Sequence, residues 1–436
     1  MSRKKIKTLQ APRGVRDILP QDQIYWERIR RVFKELAEDY GFERIDTPII
    51  EDTALFIRGT GETTEVVEKQ MYNFKTKGGD NLSLRPEGTP GVARAYIENG
   101  MTELPHPVKL YYFGPMFRYE HPQAGRYRQF HHAGVEIIGG QEPVLDAQII
   151  QFFLHFLREL GLKKAIVHIN SIGCPECRPG FRRALVDYFR SRKQKICPDC
   201  QQRLKINPLR LLDCKEEKCQ PIKINAPLIL DYLCQQCHNH FKSFLEFLEE
   251  LEIPYFLNQQ LVRGLDYYTK TVFEIFPEQK KDESDSVSFL NSALGGGGRY
   301  DELIKVLGGR PTPSVGAALG IERVIALMKE QNVKINVRFN PKVFLVQLGD
   351  LGQRKSLKLF EELHQAGIVV VESMSKPSIK SQLKIADKIG AKFALILGQQ
   401  EALDRSVIIR DMESGVQETI PRDRVVNEIK KRLARK

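Results

Sequence analysis

Two apolar, alternating runs, residues 109–120 and 127–138, flank the short polar loop 121–126. This pattern predicts an antiparallel hairpin. Side chains alternate faces along a strand, so Arg118 and Glu120 share a face. On the returning strand Phe130, His132, Gly134 and Glu136 share one. Such a face offers a guanidinium for phosphate, an aromatic plate for a base and a carboxylate for a hydrogen-bond donor. Arg126 and Arg128 add positive charge near the loop, and alternation sends His131 and His132 to opposite faces, which argues against a shared ion. A solvent-exposed basic hairpin is the competing reading. A distant segment, residues 261–273, carries Arg263, Asp266, Tyr267 and Tyr268. Together the two segments look like halves of a site that holds a nucleoside triphosphate against a small, polar, aromatic substrate. For Arg263 the structural alternative is an ion pair with Asp266.

At 436 residues the chain has length for about three domains of roughly 150 residues. Hydrophobic content of 42% and charged content of 28% describe a soluble globular protein, and no apolar run of about 18 residues predicts a membrane span. The basic start, residues 1–7, has no apolar stretch of the secretory type, so a cytoplasmic location is expected. A formal charge of +12 points to a polyanionic partner such as nucleic acid, or to a generally basic surface.

Spacing predicts a helix over 21–40 stopped by Gly41, then a strand over 42–47 running into Pro48. A strand enters the turn near residue 85, and a helix follows with Thr89 as its N-cap and Pro90 at its first position. Another helix is expected over 148–160. The first part of the core therefore covers 1–169. Residues 170–254 form a separate insertion, because every cysteine in the chain lies there. The core resumes over 255–333 with a strand at 267–276, a hydrophilic loop at 278–286, the glycine run Gly295–Gly298 and a strand-to-helix unit at 314–327. The glycines allow close approach of backbone to a substrate, but no Gly-Lys-Ser/Thr follows, so the run is not a P-loop. A linker is expected at 334–341. Residues 341–436 read as a small α/β domain with strands at 343–348, 368–371, 393–397 and 407–411 and helices at 353–366, 379–389 and 423–433.

The cysteines form four pairs, Cys174 with Cys177, Cys197 with Cys200, Cys214 with Cys219, and Cys234 with Cys237. Short paired spacings suit tetrahedral thiolate zinc sites, and eight thiolates suffice for two. Which pairs combine is open, and His238 and His240 are reserve ligands. The alternative is a reduced, metal-free insertion.

These residues resemble a known family. The hairpin resembles motif 2 of class II aminoacyl-tRNA synthetases, specifically of the histidyl-tRNA synthetases, and residues 261–273 resemble a motif peculiar to that family. Residues 295–301 resemble its glycine-rich second motif, 316–327 its motif 3 with Arg323 as the arginine, and the opening helix and strand to Pro48 its motif 1. The resemblance implies an α+β core, an antiparallel sheet flanked by helices, with an insertion and a C-terminal anticodon-binding α/β domain. It implies activation of histidine by ATP with Mg2+, transfer to the 3′ end of tRNA(His), and a homodimer. Arg118, Arg263 and Arg323 would be catalytic. Arg118, Glu120, Arg126, Phe130 and Arg323 would bind ATP. Glu87, Thr89, His132, Glu136, Tyr267 and Tyr268 would bind histidine. Two residues depart from the family: His121 stands where it usually has arginine and His132 where many members have glutamine. The rival activity is a non-catalytic regulatory paralogue of the ATP phosphoribosyltransferase complex of histidine biosynthesis. A third reading is a class II synthetase for another amino acid.

Overall fold

The computed structural model describes residues 8–123, 125–278, 292–335, 342–373 and 378–434. The expected loop at 278–286 and linker at 334–341 fall mostly outside these residues, as does the basic start. The chain divides into two units, Met1–Ile335 and Asn336–Lys436. No described helix is long and apolar enough to cross a membrane.

In the first unit the strands are β1 (Glu43–Arg44), β2 (Ile50–Asp52), β3 (Tyr72–Lys75), β4 (Asn81–Leu84), β5 (Val108–Phe117), β6 (Gln129–Ile138), β7 (Ala165–Ser171), β8 (Tyr255–Leu257), β9 (Thr269–Pro277), β10 (Gly295–Arg299) and β11 (Ser314–Gly320). Eight of them form one sheet in the order β1-β5-β6-β11-β10-β9-β7-β8. The six central strands pair antiparallel, whereas β1 and β8 join the edges parallel. β2, β4 and β3 make a small separate sheet. The expected hairpin is β5–β6, but its strands stop at Phe117 and Gln129, so Arg118 and Glu120 lie on the connection and not on a pleated face. The expected strand at 42–47 shrinks to two residues, because β1 is an edge with a single neighbour.

One face of the sheet is covered by the helices Pro20–Asp39 and Pro143–Glu159. The first has proline in its opening turn and buries Trp26, Ile29, Val32, Phe33 and Ala37 at helical spacing. Phe33 packs edge-on against Phe152 and Phe156 of the second at centroid distances of 5.6 and 5.2 Å. The opposite face carries the helix Thr89–Glu98 and a second core with Tyr112, Tyr267, Tyr268 and Tyr300. Here one expectation fails. Gly88, not Thr89, is the N-cap, and Thr89 opens the helix with no capping bond. Its hydroxyl donates instead to Glu136 Oε1 at 2.7 Å, so a partner 47 residues away overrides the local capping rule.

The second unit has β12 (Val343–Gln347), β13 (Val370–Glu372), β14 (Phe393–Leu397), β15 (Ser406–Asp411) and β16 (Gln417–Pro421), in sheet order β13-β12-β14-β15-β16. Helices Gly349–Gln365, Ile379–Lys388 and Val425–Ala434 accompany it. β16 is an addition to the strands expected from the sequence; four of its five residues are exposed, so it has no apolar run to announce it.

Arg299 at the end of β10 is wholly buried and ties the glycine strand to the start of helix Pro143–Glu159. It donates to Asp146 Oδ2 at 2.8 Å and to the carbonyls of Gly140 and Glu142. Truncating one partner of a buried ion pair strands the other charge. Asp146→Ala is therefore expected to lower stability by about 3–5 kcal/mol in urea denaturation, whereas a loss under about 1 kcal/mol would mean that Arg299 finds equivalent partners.

Candidate active site

On the sheet face opposite the aromatic helices lies a cavity of about 200 Å³. Its walls come from the segment before helix Thr89–Glu98, the β5–β6 connection, the segment 263–268, β10, and the β11-to-helix turn. Arg118, Glu120, Arg126, Phe130, His132, Arg263, Tyr267, Tyr268, Arg323, Glu87 and Thr89 all line it. Glu136 lies beneath the lining, wholly buried. Residues from four distant stretches of sequence thus meet in one place.

The arginines are held by backbone carbonyls, which fix them without consuming their charge. Arg118 Nε donates to Pro86 O at 2.9 Å, and its guanidinium lies 5.5 Å from the centroid of the Phe130 ring. Arg323 donates to Gly125 O at 3.0 Å and Ala293 O at 2.5 Å. Burial lowers its pKa, and the nearby Arg126 and Arg118 lower it further. Cations crowded into one cavity in this way favour an anionic occupant. Glu120 sits between Arg118 (4.0 Å) and Arg126 (3.8 Å).

Arg263 pairs with Glu274 at 2.5 Å, not with Asp266. Asp266 is taken by Asn207 and Thr63. The reach to Glu274 depends on Gly296, which pairs with Glu274 across the sheet; a Cβ there would fall 2.9 Å from Arg263 Nη1 and 2.4 Å from Phe273 O.

The carboxylate side is a hydroxyl network. Glu87 accepts from Tyr267 and Thr60, each at 2.7 Å. Glu136 accepts from Tyr300 at 2.6 Å, Thr89 at 2.7 Å and Tyr112 at 3.3 Å. Burial raises the Glu136 pKa to about 7, against the lowering effect of these hydroxyls. Glu87 is also raised, again mainly by burial. His132 is held neutral by burial and by Arg118 and Arg323, and its Nδ1 has no partner among the described residues. His131 faces the other way as alternation required, against Trp26 and 2.9 Å from Glu322.

Sequence reasoning missed Glu274, Tyr112 and Tyr300. Glu274 could have been found by strand alternation once Gly296 was set opposite it. The tyrosines carry no local signal, because their partner Glu136 is on another strand or across the sheet.

In the insertion the sulfurs gather as two groups of four, Cys174 with Cys177, Cys234 and Cys237, and Cys197 with Cys200, Cys214 and Cys219. Within each group the sulfurs lie within 4.8 Å of one another. Sγ separations of 3.6, 3.8 and 3.9 Å are far too long for disulfides. They match the roughly 3.8 Å edge of a tetrahedron with metal–sulfur bonds of about 2.3 Å. Backbone N–H groups of Cys234 and Cys197 point at Cys177 Sγ (3.1 Å) and Cys219 Sγ (3.2 Å), as thiolate acceptors require. Neither reserve histidine takes part: His238 is exposed, and His240 lies buried 3.9 Å from Asp146.

Comparison with known proteins matches these features. The histidyl-tRNA synthetase family model covers residues 14–189 and 210–324, and an anticodon binding domain model covers 342–432. A histidine–tRNA ligase of Dehalococcoides mccartyi is 46% identical over 97% of this chain and 100% of its own length. One of Pelotomaculum thermopropionicum is 44% identical over 97% of each. The crystal structure of apo histidyl-tRNA synthetase from S. aureus superposes with a TM-score of 0.78 at 36% identity, covering 97% of this chain and 100% of that one. A class II aminoacyl-tRNA synthetase architecture is thereby defined. The chain belongs to the histidyl-tRNA synthetase family.

The pKa of Glu136 carries a testable consequence for stability. Below its ordinary value near 4.5 the carboxyl is protonated folded or unfolded. Between 4.5 and about 7 only the folded chain keeps the proton, so this group disfavours folding progressively as pH rises through that window. Glu136→Gln removes the slope. Its stability relative to the parent is expected to improve by about 3 kcal/mol between roughly pH 4.5 and 7.5 in denaturant titrations; a pH-independent difference would place the Glu136 pKa near its ordinary value.

Proposed function

We propose that the cavity holds ATP on its hairpin side and histidine on its glutamate side, and that its arginines drive adenylate formation. As a family member the chain activates histidine with ATP to histidyl-adenylate and transfers it to the 3′ end of tRNA(His). In the first step a histidine carboxylate oxygen bonds to the α-phosphorus while the bond to the departing pyrophosphate breaks. In the second, a hydroxyl of the terminal adenosine attacks the carbonyl carbon and AMP leaves. The attacking carboxylate is already ionised, so the first step needs alignment and charge stabilisation more than a base.

The observation that carries this reading is the convergence of Arg118, Arg263 and Arg323 on one cavity that Glu87, Tyr267 and Tyr268 also line. Arg118 and Arg263 take the α-phosphate, Arg126 and Arg323 reach the γ-phosphate, and Phe130 with Glu120 holds adenine. Glu87 and Thr89 serve the α-amino group. Glu136 and Tyr268 read the two ring nitrogens of the imidazole, with Tyr267 and the neutral His132 beside them. Mg2+ comes with the ATP, and Glu274 is a carboxylate lining the cavity that suits it. Each cysteine group holds a structural Zn2+. Residues 341–436 bind the anticodon stem of the tRNA, with the basic helix Val425–Ala434 at the end of that unit. The protein works in the cytoplasm as a homodimer, a reading supported by the exposed apolar residues Ile49, Ile50, Ile57 and Phe74 around the small sheet. The regulatory reading is weaker, because Arg118, Arg263 and Arg323 are all retained and the anticodon binding domain model matches 342–432.

Charging of a tRNA(His) transcript with labelled histidine tests the activity; absence of charging with ATP and Mg2+ present would favour the regulatory alternative. Arg263→Ala is expected to cut adenylation by about 10²–10³-fold while tRNA affinity stays within about twofold in filter binding. Parallel loss of both would make Arg263 structural. Light scattering is expected to give twice the chain mass of 50.1 kDa; a monomer mass would remove the dimer.

A further inference from the structure

The two cysteine groups are tied to the histidine side of the cavity. The segment that carries Arg263, Tyr267 and Tyr268, between Leu261 and Tyr268, has no helix or strand of its own. Its shape therefore depends on what grips it from outside, and three residues of the insertion, Arg178, Asn207 and Arg210, do so. Just past the segment, in β9, Lys270 donates its backbone N–H to Gly173 O, immediately before Cys174, at 2.9 Å and accepts from Ile172 N–H at 2.8 Å. Arg178, immediately after Cys177, donates from Nη2 to the backbone carbonyl of Tyr268. Between Cys200 and Cys214 lie Asn207, which donates to Asp266 Oδ1 at 3.1 Å, and Arg210, which donates to Arg263 O at 3.5 Å.

Resting on the zinc reading above, we infer that the two thiolate metal sites are positioning elements for the amino-acid pocket. The site of Cys174, Cys177, Cys234 and Cys237 holds the start of helix Arg178–Arg190, and with it Arg178, against Tyr268. The site of Cys197, Cys200, Cys214 and Cys219 holds Asn207 and Arg210 against Asp266 and Arg263. Four thiols alone make only weak contacts with one another, whereas a Zn2+ ion displaces their protons and locks four sulfurs in fixed geometry. Loss of the ion frees the grips, and the backbone that presents Tyr268 and Arg263 relaxes. Histidine binding then weakens. ATP gives up only the Arg263 contact and keeps Arg118 and Arg323, which are fixed through carbonyls outside the insertion, so it is much less affected.

The test uses the full-length protein. Elemental analysis is expected to give two zinc per chain. Chelation under reducing conditions should raise the histidine Kd at least tenfold in titration calorimetry and move the ATP Kd less than twofold, with recovery when Zn2+ is restored. If the stripped protein unfolds in circular dichroism, Arg178→Gln decides the matter, because it keeps all eight thiols. It should hold two zinc and show the same selective loss of histidine affinity, partly rescued by Arg178→Lys. Two bound zinc with an unchanged histidine Kd in Arg178→Gln overturns the inference alone. No zinc, or disulfides in the mass spectrum, overturns the metal reading and the inference with it. A zinc-loaded parent protein that binds no histidine overturns the proposed use of the pocket.

Discussion

A carboxylate buried without any counter-cation in hydrogen-bond contact is the constraint around which this core is arranged. Glu136 lies near the end of β6 with no solvent exposure, and it is kept there by three hydroxyls from three separate stretches of chain, Tyr300, Thr89 and Tyr112. An unsatisfied buried carboxyl would cost several kcal/mol, so each hydroxyl is a condition of the fold as well as of the site. Space is a second condition. A Cβ on Gly316 of β11, directly across from Glu136, would fall 1.6 Å from its Oε2. Glycine at 316 thus follows from the need to house this side chain, and the pairing of β6 with β11 brings the hairpin and Arg323 into one cavity.

Charge in that cavity is of two kinds. Arg118 and Arg323 are anchored by backbone carbonyls and keep their positive charge available, while Glu87 and, beneath the lining, Glu136 are capped by hydroxyls. Arg263 stands at the border, paired with Glu274, a carboxylate that itself lines the cavity. A phosphoanhydride and an amino acid with a two-nitrogen ring are the complementary pair for such walls. The insertion lies outside this division but grips the border segment, which gives a cysteine-rich excursion a reason to sit between β7 and β8 of the central sheet.

Local sequence made much of this readable. Alternation along β6 separates His131 from His132 and puts Phe130 and His132 in the cavity lining with Glu136 on the same face beneath it, because a pleated strand has a fixed period. Paired cysteine spacing is likewise a local signal for four-sulfur sites. What was not readable depends on distant partners. Thr89 has the sequence of an N-cap but answers to Glu136, Arg263 pairs with Glu274 across a strand and not with the near Asp266 of the structural alternative, and the cysteine pairing, open in the sequence, is first with fourth and second with third. Nothing in spacing alone encodes those choices; sheet register and the path of the insertion do.

Histidine-dependent exchange of labelled pyrophosphate into ATP tests the central claim most directly, because it reads adenylate formation without tRNA. Across the twenty amino acids, exchange is predicted with histidine alone, and Gly316→Ala is predicted to raise the histidine KM at least tenfold with the ATP KM little changed. Exchange driven equally well by another amino acid, or a Gly316→Ala variant with unaltered histidine KM, would contradict the account of Glu136 as the group that reads the substrate ring.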